Sequence, residues 1–349
     1  MSQTPLWGGP MEDGITFSLL SKFLVCRERF RLKVIEGLDE SMGFNHAIEF
    51  GSMWHEAEEA HAGGKPWRPA AQKYMDYLRS EHPAADIGIR KTYELVKLAF
   101  PLYVKHWQKK GKGIKRIPVL EEEVFNVPYE LPSGRTIILK GKFDCVFRKK
   151  KSVWLQENKT KGRIDEAGLT ATLDQNLQTM LYQIALRTAQ KLGLFPFDKG
   201  DIGRIKGVLY NVVRRPLGDQ HAIRQKKSET EKQFYQRVAA QIKADPNHYF
   251  MRWDVNLFPR EIMQFQERVF DPIMEQLCDW WEWVSQNPFD PWSLQTSSEY
   301  ANNIHWQAPW GIYNSMFGGF RGDYFEYLTT NKRSSLQKID NLFPELEEH

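Results

Sequence analysis

Apolar positions recur at helical spacing over residues 18–35, where Leu19, Leu20, Phe23, Leu24 and Phe30 form one stripe. A second helix is predicted over 45–62, stopped by Gly63-Gly64, and two more over 69–80 and 87–110. The pattern then changes. Residues 119–127, 136–147 and 153–159 read as strands, with Leu131-Pro132-Ser133-Gly134 as the turn between the first two. A long helix over 166–192 ends at Gly193, a fourth strand covers 204–213, and a helix covers 228–244. The remainder, above all 259–284, reads as helical and aromatic. Helices, an antiparallel meander, a helix and a further strand predict one α/β core with helical additions at both ends. Residues 1–349 are thus expected to form a single domain: a helical part over 1–112, sheet and core over 113–215, and a helical part over 216–349.

Composition excludes few classes. With 41% hydrophobic and 26% charged residues in 349, the chain is neither disordered nor fibrous and is long enough to bury a core. The first residues contain no apolar run and no later stretch is long enough to span a bilayer, so a cytoplasmic protein with no membrane partner is expected. Three cysteines (Cys26, Cys145 and Cys278) are too few and too scattered for a disulfide scaffold. The net charge of +4 hides an asymmetry: residues 105–163 carry 16 Lys and Arg against 6 Asp and Glu. Basic residues recur at Arg214, Arg215, Arg224, Lys226 and Lys227. A basic block beside inward-facing acidic residues suits a phosphate-binding groove with a metal centre, while a solvated surface would account for the charge alone.

The candidate chemistry lies in the meander. Residues two apart on a strand share a face, so Glu157 and Lys159 point the same way. A hairpin turning about Lys150-Lys151 sets Asp144 opposite Glu157, and one turning about Ser133-Gly134 sets Glu123 opposite Asp144. Carboxylates so gathered repel, and a divalent cation of the magnesium or manganese kind relieves them. Lys159 adds a positive charge that can orient a water or stabilise developing negative charge. On the following helix Gln178 and Tyr182 lie four apart and share a face, with Gln175 one turn earlier.

Gly141-Lys142-Phe143-Asp144 followed by Glu157-Asn158-Lys159 resembles the PD-(D/E)XK nuclease motif, an Asp and then an acidic-x-Lys triplet on adjacent strands. Three further matches resemble the RecB-like branch, which includes AddB and the CRISPR-adaptation nucleases. Gly51-Ser52-Met53-Trp54-His55-Glu56 is similar to its helical Gly-x-x-x-His motif, Gln178-Thr179-Met180-Leu181-Tyr182 to its Gln-x-x-x-Tyr motif, and Phe17-Ser18-Leu19-Leu20 with Phe23, Cys26 and Phe30 to its N-terminal helix. The resemblance implies a restriction-endonuclease-like core: a mixed central sheet flanked by helices. It implies His55, Asp144, Glu157 and the Asn158 backbone carbonyl as ligands of Mg2+ or Mn2+, with Asp144, Glu157 and Lys159 catalytic. It also implies that Gln178, Tyr182 and Gln175 contact the DNA backbone. For Arg214 and Arg215, phosphate contact and a solvated loop remain equal readings. The expected activity is that of a DNA exonuclease of recombination, repair or phage DNA processing, acting on single-stranded or duplex ends. The alternatives are a structure-specific or restriction-type endonuclease and a non-catalytic DNA-binding subunit. No helicase motif or Gly-rich nucleotide loop accompanies these residues, so any motor is expected to be a separate helicase or recombination protein.

The resemblance departs in one place. AddB and many CRISPR-adaptation nucleases hold an iron–sulfur cluster with four cysteines, one in the N-terminal helix, where Cys26 sits, and three near the C-terminus. Here residues 300–327 contain none, so no iron–sulfur cluster is expected. Trp306, Trp310, Tyr313 and Phe317 are expected to pack in its place. Trp280, Trp281 and Trp283 offer either stacking platforms for bases or core, and core is the expectation.

Overall fold

A computed structural model describes residues 5–25, 27–40, 43–110, 117–149, 152–162, 164, 173, 176–195, 205–216, 225–286 and 336–346. The N-terminal stripe forms two helices, α1 (Phe17–Val25) and α2 (Arg27–Val34), followed by a short strand β1 (Leu38–Glu40). Asn45 then caps α3 (His46–Ala62), its side chain accepting from the Ala47 and Ile48 amides. α4 (Trp67–Glu81) and α5 (Asp86–Lys109) complete a helical layer with α3.

Strands β2 (Ile117–Glu130), β3 (Thr136–Lys149) and β4 (Ser152–Lys161) form an antiparallel meander. α6 (Leu177–Leu192), capped by Asn176 and closed by Gly193 at φ +67°, lies on the crossover that leads to β5 (Ile205–Arg214). That strand runs parallel to β4, as a crossover connection requires. α7 (Glu231–Ala244) and the single turn α8 (Pro246–Tyr249) lead to β6 (Phe250–Asn256), antiparallel to β5. The sheet order is therefore β2-β3-β4-β5-β6. α9 (Pro259–Phe265), a π-helical turn over Gln266–Phe270 and α10 (Asp271–Gln286) follow, and β7 (Leu336–Lys338) pairs with β1.

β6 adds a strand to the part beyond residue 215 that the sequence pattern reads as largely helical. Its signal was present: Met251, Trp253 and Val255 alternate with Arg252, Asp254 and Asn256. The expected helix over 166–192 is seen from Leu177 onward, and residues 166–172 lie outside the described residues. Among the described residues no helix is long and apolar enough to cross a membrane.

Both sheet faces are covered, which explains the near-continuous burial of β4 and β5. On one face Leu155, Val208, Tyr210 and Val212 join α1, α6 and α10 in the larger core. Trp280 and Trp281 belong to this core, Trp280 against Phe23 and Phe30 and Trp281 against Trp7. On the other face Cys145, Phe147, Trp154 and Leu209 form a small cluster, and Val213 and Phe250 meet the α3–α5 and α7 core. Between those two apolar patches the second face turns polar, at Gln156, Asn158 and Asn211, all buried.

Candidate active site

The β3–β4 hairpin pairs Cys145 with Gln156 and Lys149 with Ser152, the register expected for a turn at Lys150-Lys151. One step beyond Cys145 the Asp144 carboxylate leaves the ladder pattern: its Oδ2 accepts the backbone N–H of Asn158 at 2.7 Å. This bond fixes the aspartate between the two strands at the start of the Glu157-Asn158-Lys159 triplet. α3 supplies His55 from the other side, its Nδ1 3.8 Å from Asp144 Oδ1. The helix approaches β4 closely because position 51 has no side chain; a Cβ there would stand 2.9 Å from Thr160 Oγ1.

Glu157 is only 2% exposed, and its Oε1 lies 2.5 Å from Lys159 Nζ. Burial pushes its carboxyl above the ordinary carboxylate range; Lys159 opposes that shift and Asp144 adds to it. Lys159 Nζ also donates to Gln178 Oε1 on α6 at 2.7 Å. His55, Asp144, Glu157, Lys159 and Gln178 thus come together from α3, β3, β4 and α6.

The remaining candidates are placed differently. The ladder closes Glu130 on Thr136 around residues 131–135, so Glu123 stands opposite Phe143 rather than Asp144, and its side chain is exposed. The register is one residue from the expected one, which moves a side chain to the other face. The Tyr182 ring packs edge-on against Phe125 and Phe143 in the larger core. Arg214 is buried and its Nε donates to the His248 carbonyl at 3.0 Å, while Arg215 follows β5 with its guanidinium half-buried. Gln175, Cys26, Arg224, Trp306, Trp310, Tyr313 and Phe317 lie outside the described residues.

A divalent cation can be tested against this donor set. Among the described residues no three His, Cys, Asp or Glu side chains stand close enough together to hold an ion as they are, and Lys159 engages the Glu157 carboxylate. Yet the donors fit one. Glu157 Oε2 is buried with no hydrogen-bond partner, an arrangement that costs about 1–3 kcal/mol or more unless something binds there. Two ligands at about 2.1 Å from one ion stand about 3–4 Å apart, which is the separation of His55 and Asp144.

The sequence pattern missed a second set of residues under this site. Tyr103 on α5, Asn211 on β5, Arg252 on β6 and Glu58 on α3 form a hydrogen-bonded group against Asn158. Glu58 follows His55 by three positions and so shares its helix face, the one signal that could have suggested it.

An Asp on one strand and an acidic-x-Lys triplet on the next, in a mixed five-stranded sheet, define a nuclease core of the restriction-endonuclease type. A family model for the PD-(D/E)XK nuclease superfamily matches residues 15–278, and the chain belongs to that superfamily. No curated protein matches the chain.

Proposed function

We propose that this nuclease is a divalent-metal-dependent deoxyribonuclease, an exonuclease of DNA ends of the RecB-like kind, serving recombination, repair or phage DNA processing. The observation that carries this reading is the meeting of His55, Asp144 and the Glu157–Lys159 pair where β3 and β4 part. The ordered set of four RecB-like motifs supports the exonuclease assignment and the treatment of 1–349 as one nuclease domain.

In this reading His55, Asp144, Glu157 and the Asn158 carbonyl hold Mg2+ or Mn2+. Such an ion supplies Lewis acidity toward the phosphate and a water of lowered pKa. Lys159 holds the attacking water or stabilises negative charge at the phosphate, and Gln178 aims the Lys159 ammonium through their 2.7 Å bond. Arg215 contributes attraction for the DNA backbone. A separate helicase or recombination protein supplies unwound or exposed ends. No iron–sulfur cluster takes part.

End-labelled linear DNA and circular single- and double-stranded DNA, each with Mg2+, Mn2+ or EDTA, test this. Loss of linear substrates alone, abolished by EDTA, is the expected result. Loss of circles would make the protein an endonuclease, and retained DNA binding without cleavage would make it a binding subunit.

A further inference from the structure

Behind the catalytic triplet lies a polar group that the chemistry does not use. Asn158 and Asn211 are direct partners in the parallel β4–β5 ladder, so their side chains share one face. That face is opposite to the one carrying Glu157 and Lys159. Asn158 Oδ1 accepts from Asn211 Nδ2 and from Gln156 Nε2, both at 2.8 Å. The second hydrogen of Asn211 Nδ2 goes to the Tyr103 hydroxyl at 2.7 Å, and Asn211 Oδ1 accepts from Arg252 Nε at 3.0 Å. Arg252 reaches the same hydroxyl at 2.7 Å and lies over the Trp107 ring.

The Tyr103 hydroxyl is therefore used to capacity. It has one hydrogen and two lone pairs. The hydrogen goes to Glu58 Oε1 at 3.0 Å, and the lone pairs accept from Asn211 and Arg252. Tyr103 is 2% exposed and Asn211 1%, so each of these bonds replaces water that cannot enter. The hydroxyl also joins the two structures that carry the candidate ligands. Through Glu58 it holds α3, the helix of His55. Through Asn211 it holds Asn158, whose own amide carries the Asp144 carboxylate.

We propose that Tyr103, Asn211 and Arg252 are positioning residues for the active site, setting the Glu157–Asn158 peptide and the α3 helix so that Asp144 and His55 face one another. The proposal deepens the nuclease reading and rests on it for its catalytic consequence. Its structural content, the clamping of the Asn158 amide, is separable.

Amide hydrogen exchange on the full chain, paired with steady-state cleavage of linear DNA at varied Mn2+, tests it. In Tyr103→Phe the Asn158 amide is expected to exchange at least about tenfold faster while Leu155, earlier on the same strand, keeps its protection. With cleavage, kcat falls about 10- to 100-fold and the Mn2+ midpoint rises, with KM for DNA unchanged. Arg252→Met, at a half-buried edge-strand position, gives the same pattern should Tyr103→Phe fold poorly, and Arg252→Lys restores part of it. Unchanged exchange at Asn158 in a folded Tyr103→Phe or Arg252→Met variant overturns the proposal. If the parent protein cleaves no DNA, the nuclease reading fails, and the exchange comparison still decides the clamp.

Discussion

Glu157 and Asn158 are neighbours on β4, and their side chains enter opposite environments. Toward α6, among the described residues, Glu157 has one oxygen with no hydrogen-bond partner and another held by Lys159. Toward α5, Asn158 sits in a densely bonded group, where the Tyr103 hydroxyl uses its hydrogen and both lone pairs and the Asn211 amide donates both of its hydrogens. A fold normally satisfies what it buries. We read the buried Glu157 oxygen as a position for a metal ion, and the densely bonded face as the support that keeps the strand rigid beneath it.

The largest effect should come from the unsatisfied face. Lys159→Ala or Asp144→Ala is expected to lower metal-dependent cleavage by about a thousandfold or more, with the thermal midpoint shifted little, because neither side chain holds the core together. Activity assays beside calorimetric melting check this. Undiminished cleavage by both variants would remove the catalytic assignment.

The saturated face should respond the other way round. Asn211→Leu leaves the Tyr103 hydroxyl, the Asn158 side-chain oxygen Oδ1 and Arg252 each short of a partner inside the protein. We expect about 2–4 kcal/mol of lost stability, read from urea unfolding. A loss below about 0.5 kcal/mol would mean that water reaches this face and that the contrast between the two is false.

A control remote from both faces should show the smallest change. Glu229 bonds Arg237 through both carboxylate oxygens and also accepts the Lys226 amide, and the Arg237 contact holds its carboxyl down to about 2. Its folded pKa lies below its unfolded value, so this pair stabilises the fold above the ordinary carboxylate range. The stabilisation disappears as pH falls from about 4.5 toward about 2. Arg237→Gln should flatten that part of the acid-unfolding curve by a small amount, since the pair is at the surface, and leave cleavage at neutral pH untouched. A change in neutral-pH activity would show that stability loss anywhere reaches the site.

Much of this arrangement was legible in the chain. The pairing of Lys149 with Ser152 follows from alternation and length, and its register placed Asp144 beside the triplet as the Asn158 bond requires. The hairpin before it did not come out, because the ladder closes Glu130 on Thr136 around five residues, where a turn about Ser133-Gly134 would close Leu131 on Thr136 around four, and one residue decides which face Glu123 takes. β6 was hidden behind a run of aromatic helices although its alternation was present. The polar group around Tyr103 was beyond reach for a different reason. The partners of the Tyr103 hydroxyl lie 45 to 149 positions from it, and only the packing of α5 across β5 and β6 brings them together. A tyrosine on an apolar helix face carries no mark of what its hydroxyl will meet.

The bare Cα at Gly51 has a further meaning. It sets how near the helix bearing His55 can come to the strand bearing Glu157, so the spacing of these two elements is governed by a missing methyl group. Each carbon added there would act as a shim against Thr160, and Thr160→Ala would take the shim out again. Two positions flanking the chemistry, one a turn before His55 and one next to Lys159, therefore offer a mechanical adjustment of the helix–strand spacing, leaving every reactive group intact.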